Sequence, residues 1–521
     1  MPHIAARMTY ALLDDDAAGV GREVLGGKGA GLVRMRELGL PVPAAFVITT
    51  ACGRDYLREQ RLPDGLAREL DERIAALERA GGRRFGDDDS PLLVSVRSGA
   101  PVSMPGMMDT ILNVGLTWEG AEALAGETGD AAFAWGCLER LLEQFARTVR
   151  GLSAGVVEEA LMDAGGAGTR ERSRVLLELI ERESGRPFPD AGGQVREAVE
   201  AVFRSWMSPR ARAYRRHKGI DEAMGTAVVV QTMVFGNRGE DSGSGVAFTR
   251  DPSTGAQGAY GDFLFDAQGE DVVAGERDTR PLAELAERLP AVADELRRVF
   301  DVLERDARDM CDVEFTVEQG RLWILQTRVG QRSGRAAVRL AVAFVEEGLI
   351  SVEEALGRVG DEQLEAAMAP VFDGDTGDVV ARGLAASPGA AIGVAAFQAE
   401  RAQRLCDEGR EVVLVRPTTA PADLPGVIAS VGVVTGRGGP TSHAAVVARG
   451  MGRPAVCGAG DVVVAAGGRS ATVAGVVLHE GETVSVDGDR GLVSRGARSR
   501  VPAESDPVLA RFLAWRQADA A

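Results

Sequence analysis

Thr435-Gly436-Arg437-Gly438-Gly439-Pro440-Thr441-Ser442-His443-Ala444-Ala445-Val446-Val447-Ala448-Arg449-Gly450 is the stretch on which the reading of this 521-residue chain turns. A glycine-rich loop runs into small residues suited to a helix, and the histidine stands where that helix would begin. A histidine cation is disfavoured in a first turn, where the helix dipole is positive. The ring is thereby kept neutral, the state a nucleophile needs. The same helix end would stabilise an anionic phosphoryl group once it is attached. His3, His217 and His479 are the other histidines, and without its flanking loop His443 would read as a structural one.

Upstream, four further constellations carry chemistry. Gly26-Gly27-Lys28-Gly29-Ala30-Gly31 places flexible glycines ahead of an expected helix, Gly29–Leu38, where exposed N–H groups and a lysine meet a phosphate; an ordinary glycine turn is the alternative. Of 59 basic residues only Lys28 and Lys218 are lysine, so position 28 has kept a compact ammonium where arginine was the habit. Ser95-Val96-Arg97-Ser98-Gly99 ends a strand in an arginine suited to bidentate phosphate contact, or simply a surface arginine. Phe235–Gly245 reads as a glycine and serine loop between two strands, either a nucleotide lid or a plain long hairpin.

The fourth is a hairpin around Glu318-Gln319-Gly320. Strand periodicity puts Asp312 and Glu314 on one face and Gln326 and Arg328 on one face of the return strand. Two carboxylates with an amide and a guanidinium suit a magnesium–triphosphate site, hard oxygens for the metal and arginine for phosphate. A solvated hairpin face is the alternative.

Composition narrows the function classes. A length of 521 residues suggests three to four domains of roughly 150 residues. Asp+Glu 77 against Lys+Arg 59 gives a net charge of −18, a poor match for nucleic acid or an anionic membrane surface. No apolar stretch approaches a membrane span, and five scattered cysteines read as reduced thiols in a cytoplasmic protein. Residues 117–222 read as helical, 330–369 as a helical connector, and the segment from Arg382 as short strands rich in Gly, Val and Ala.

Taken in order, Gly-Gly-Lys-Gly-Ala, Val96–Ala100, Ser103–Leu112, Val230–Gly236, Ala247–Gly255, Asp266–Gly275, Gln326-Thr327-Arg328 and Gly438–Gly450 resemble the pyruvate, phosphate dikinase family, from about residue 20 to 490. The resemblance implies a multi-domain α+β protein. An ATP-grasp nucleotide-binding domain would span 1–332 with a helical insert at 117–222, a helical connector 333–380, a swivelling β/β/α phosphohistidine domain 381–500, and a short tail 501–521. It implies that Lys28, Arg97, Glu270, Asp312, Glu314, Gln326 and Arg328 bind ATP, with Mg2+ on Asp312 and Glu314. His443 would be the phosphorylated residue, with Arg97 and Arg328 also catalytic, in a loop of Gly438, Gly439, Thr441, Ser442 and Arg449. Pro440 stands where that family usually has methionine, a change expected to affect loop conformation more than chemistry.

The family's C-terminal (β/α)₈ barrel for pyruvate or phosphoenolpyruvate needs at least roughly 200 residues, and after Val493 only 28 follow (521 − 493). The expectation is therefore an ATP- and phosphate-using phosphotransferase that releases AMP. Its phosphoryl group would pass to pyruvate on a separate barrel protein or to another small-molecule acceptor. The alternative is an ATP-binding or phosphocarrier regulatory module without metabolite turnover.

Overall fold

The computed structural model describes residues 7–12, 15–102, 104, 107–166, 168–274, 279–374, 376–439, 442–502 and 506–519. Met1–Val234 forms one compact unit and Phe235–Ala521 another.

The first unit is built on an antiparallel sheet in the order Thr9–Ala11, Ala45–Ile48, Ala227–Thr232, Val94–Gly99 and Thr110–Val114. Its central strand carries Val228, Val229 and Val230, all buried, as befits β-branched residues covered on both faces. Helices occupy the stretch from Trp118–Thr128 to Pro209–Lys218, where apolar spacing predicts them. Thr117, Asp130, Ser153, Asp190 and Ser208 each cap one by accepting a first-turn N–H. Leu138, Leu141, Leu142 and Phe145 form the buried stripe.

The glycine run differs from its reading. A helix was expected from Gly29, yet Arg22–Glu37 is one helical stretch interrupted at Gly26, with φ 68° and ψ 170°. The cause is distant in sequence: a Cβ at Gly26 would come within 1.6 Å of the Gly99 carbonyl oxygen, and Gly27 N–H donates to Ala100 O at 2.9 Å.

The second unit begins with an antiparallel sheet ordered Arg280–Pro281, Gln257–Phe265, Gly243–Arg250, Cys311–Glu318 and Arg321–Val329. Ala227–Thr232 and Gly243–Arg250 belong to different sheets. The Phe235–Gly245 stretch is therefore a crossing between sheets and not a hairpin loop, because its two flanking strands find other partners. Helix Pro290–Ala307 packs on the sheet with Leu296, Val299, Phe300 and Leu303 buried, on the face of Cys311, whose Sγ lies 3.6 Å from Leu303 O.

Connector helices Gly334–Glu346, Val352–Arg358 and Asp361–Met368 follow. The C-terminal helix Pro507–Asp519 returns to them, burying Phe512 in a cluster with Leu340 and Phe344. Ion pairs Arg339–Asp506, Arg511–Glu346 and Arg516–Asp361 border that contact. The chain leaves the connector through Val371–Phe372 and comes back through Arg500–Val501, and these two segments pair as antiparallel strands.

Between them lies an eight-stranded sheet in the order Asp378–Arg382, Leu492–Arg495, Thr483–Asp487, Ala390–Ala396, Val412–Arg416, Gly432–Thr435, Ala455–Cys457 and Leu384–Ser387. Its Ala390–Ala396 to Ala455–Cys457 core is parallel. Val412, Val413, Leu414 and Val415 are all buried, the continuous apolar run expected of a parallel strand covered on both sides. Helix His443–Gly450 is the crossover between Gly432–Thr435 and Ala455–Cys457.

Candidate active site

His443 is the first residue of its helix, with Ser442 as the N-cap (φ −60°, ψ 156°). The preceding loop leaves the carboxyl end of a parallel strand, where open α/β sheets gather ligands. Gly438 has φ 117°, a left-handed conformation for which glycine is suited. The adjacent parallel strand, Val412–Arg416, contributes the next loop, and its Thr419 places Oγ1 3.3 Å from His443 Nδ1. His443 Nε2 is buried without a hydrogen-bond partner among the described residues. Burial holds the imidazole below its ordinary pKa, and the charge of Asp423 opposes that shift. Asp423 itself accepts from Ala420 N–H at 2.9 Å and lies 3.3 Å from Arg416 Nε. The ring is therefore neutral near pH 7, and in the tautomer whose Nδ1–H donates to Thr419 Oγ1 the lone pair lies on Nε2.

The hairpin of the second unit closes through Gln319 (φ 49°) and Gly320 (φ 73°). Its register sets Asp312 opposite Arg328 and Glu314 opposite Gln326. The adjoining strands extend both rows: Tyr260, Phe248, Asp312 and Arg328 form one, and Asp262, Val246, Glu314 and Gln326 the next. Directly opposed residues and i,i+2 neighbours share a face, so one side of this sheet carries all eight. Arg328 Nε and Nη2 reach Asp312 Oδ2 at 2.8 and 2.7 Å. Burial raises the Asp312 carboxyl above its usual range, Arg328 opposes this, and Glu314 adds to it.

Asp312 Oδ1 and Gln326 Oε1 are buried without hydrogen-bond partners among the described residues. Two orphaned oxygens beside Glu314 fit a hard divalent cation, whose remaining positions are commonly filled by phosphate and water. No group of three or more His, Cys, Asp or Glu gathers as a metal cage among the described residues.

The loop before His443 and the end of its helix both touch this sheet face. Gly439 sits against the Asp262 carboxylate. Arg449, 2% exposed, donates from Nη1 to Ala386 O at 2.7 Å and stands 5.5 Å from the Phe248 ring centroid. Burial works against its cation, and the carboxylates of Asp312 and Asp251 work for it. Arg449 thus packs its helix on the Asp312 row.

In the first unit, Lys28 stands beside the strand that carries Arg97. Lys28 Cβ lies 3.6 Å from where a Cβ on Gly99 would stand, two residues beyond Arg97 on the same strand. Arg97 Nη1 is 3.5 Å from Gln231 Oε1. Thr441 lies outside the described residues, as does the side chain of Glu270, whose backbone is in helix Gly269–Ala274. Sequence reasoning missed Thr419, Asp423 and Asp262. The turn signal Pro417-Thr418-Thr419-Ala420-Pro421 after a valine-rich strand could have pointed to the first two; Asp262 gave no local signal.

Residues 22–83 and 63–283 match the family model described as pyruvate phosphate dikinase, AMP/ATP-binding domain, and residues 409–491 match that of the PEP-utilising enzyme, mobile domain. Pyruvate, phosphate dikinase of Rhizobium meliloti (strain 1021) is 44% identical over 524 residues, covering 95% of this chain and 58% of that protein. The Clostridium symbiosum protein of the same name is 42% identical, with 95% and 59% covered. Pyruvate, phosphate dikinase 1, chloroplastic, of Arabidopsis thaliana is 41% identical, with 95% and 53% covered. The chain spans between half and three-fifths of the length of these relatives.

Proposed function

The chain belongs to the pyruvate, phosphate dikinase family, and we propose that it carries out the ATP-using half of a dikinase-type phosphotransfer through His443. In this reading 1–332 is an ATP-grasp domain, 333–380 a connector, 381–500 a swivelling phosphohistidine domain and 501–521 a tail. The observation that carries it is the place of the His443 ring: buried at a helix N-terminus, Nδ1 beside Thr419, and Nε2 without a hydrogen-bond partner among the described residues.

Release of AMP requires cleavage of the bridge between the α- and β-phosphorus. The Nε2 lone pair therefore attacks the β-phosphorus, and the bridging oxygen leaves with AMP. The terminal phosphoryl group then passes to phosphate, giving pyrophosphate, or to water, giving phosphate, and one phosphoryl group stays on Nε2. Thr419 keeps the Nδ1 proton in place, and the first-turn N–H groups face the new anion. Lys28 and Arg97 provide cationic phosphate contacts, and Arg328 neutralises charge while orienting Asp312. Asp312, Glu314 and Gln326 would hold magnesium, which when bound screens the triphosphate charge. The final acceptor is pyruvate on a partner protein or another small molecule.

Incubation with ATP labelled at the β-phosphate, with magnesium and phosphate, should leave acid-labile, base-stable label on His443. His443→Asn should abolish it while preserving ATP binding. γ-Labelled ATP should place its label in pyrophosphate if phosphate is the co-substrate. β-Label retained in His443→Asn, or mapped to His217 or His479, would overturn the assignment.

A further inference from the structure

Gly439 raises a question of its own. Its neighbour Gly438 has φ 117°, so the backbone there favours glycine, whereas Gly439 is outside the positive-φ region. An L side chain at 439 is therefore permitted by the backbone. What it meets first is a carboxylate: a Cβ would lie 2.5 Å from both Oδ1 and Oδ2 of Asp262. Asp262 is 4% exposed and accepts from Thr279 Oγ1 at 2.9 Å, so it has little room to yield. It also stands in the same cross-strand row as Glu314 and Gln326. The His443 loop thus meets the sheet on the face that presents the carboxylates.

We propose that Asp262 is a positioning residue for phosphorylation of His443: its carboxylate is the seat on which the loop lands, and Gly439 is the notch that lets the loop land closely. This rests on the phosphohistidine reading above. Asp262 takes no part in bond making; it fixes how far Nε2 stands from the nucleotide. A methyl group at 439 lifts the loop by the overlap it creates, and a displacement of about 1 Å at a reacting atom is worth roughly a hundredfold in rate.

The test is a double-mutant cycle on the full chain at saturating ATP and magnesium. Gly439→Ala should label His443 from ATP roughly a hundredfold more slowly. ATP binding should be kept, as should chemical labelling of His443 by phosphoramidate, which needs no nucleotide and no docking. Asp262→Ala opens the seat, so adding Gly439→Ala to it should cost little more. Asp262→Asn keeps the volume and should not rescue.

Unchanged labelling in Gly439→Ala would overturn the proposal. So would a Gly439→Ala defect that simply multiplies with Asp262→Ala, since residues that do not couple give additive free energies. Loss of phosphoramidate labelling would mean a misfolded loop, and would equally count against it. Failure of the phosphohistidine reading itself is separable, because the unmutated chain would then take no label from ATP.

Discussion

Replacing Arg328 by methionine removes the guanidinium from Asp312 while keeping most of the side-chain length. Two nitrogens lie 2.8 and 2.7 Å from one carboxylate oxygen, and Asp312 is only 3% exposed. Breaking a buried pair from one side costs about 3–5 kcal/mol, because an uncompensated charge stays behind. With 23% of the Arg328 side chain open to solvent, the lower end, about 3 kcal/mol, applies. Spread over the unit Phe235–Ala521 at about 2.1 cal/mol/K per residue, that corresponds to a fall of about 5 °C in the unfolding midpoint.

The sign of the pH dependence follows from Asp312. Burial already raises this carboxyl, with Arg328 the main group opposing, so the variant raises it further. A carboxyl raised in the folded state costs stability above that raised value and recovers it as pH falls through it. The deficit of Arg328→Met should accordingly shrink as the pH is lowered from 7. Adding Asp312→Asn removes the stranded charge and should restore most of the midpoint at pH 7 while labelling of His443 stays lost. Calorimetry with ATP-dependent labelling reads both. A single variant that melts with its parent, or a double variant as unstable as the single, would refute the buried-pair account.

Thr419→Val keeps shape and removes the hydroxyl at Nδ1. Losing a hydrogen bond worth roughly 1 kcal/mol should slow labelling about fivefold without weakening ATP binding, and unchanged labelling would remove Thr419 from the site. Asp423→Asn takes away the charge that opposes the lowered pKa of His443, so the acid limb of the labelling rate should move to lower pH, as should the ring titration followed by NMR. Lys28→Arg should impair labelling although charge is kept, since a planar fork does not replace a point ammonium; normal rates would place the triphosphate elsewhere. Arg97→Ala should cost several kcal/mol of barrier, on the order of a hundredfold or more in rate, checked in the same assay.

What the sequence made legible were features whose cause is local. The hairpin is readable because alternation and the Gln319-Gly320 turn act within a few residues, and its register pairs Asp312 with Arg328 and Glu314 with Gln326. His443 at a helix start follows from a glycine loop meeting a small-residue run. What escaped was set by segments far apart. The break at Gly26 is imposed by Gly99, some 70 residues on. The strand after Phe235–Gly245 joined another sheet because its partners, Gln257–Phe265 and Cys311–Glu318, outcompete a hairpin. Thr419 meets His443 only once two parallel strands lie side by side, and periodicity within one segment says nothing of that encounter.

The pairing of Val371–Phe372 with Arg500–Val501 sets a mechanical rule for the body between them. Its two tethers are one ribbon, anchored at the same bundle by helices Asp361–Met368 and Pro507–Asp519. A single tether can bend in any direction, like a rope. A ribbon resists bending in its own plane and yields to twist and to bending across its face, so the pairing opposes sideways displacement of the body in the plane of the ribbon.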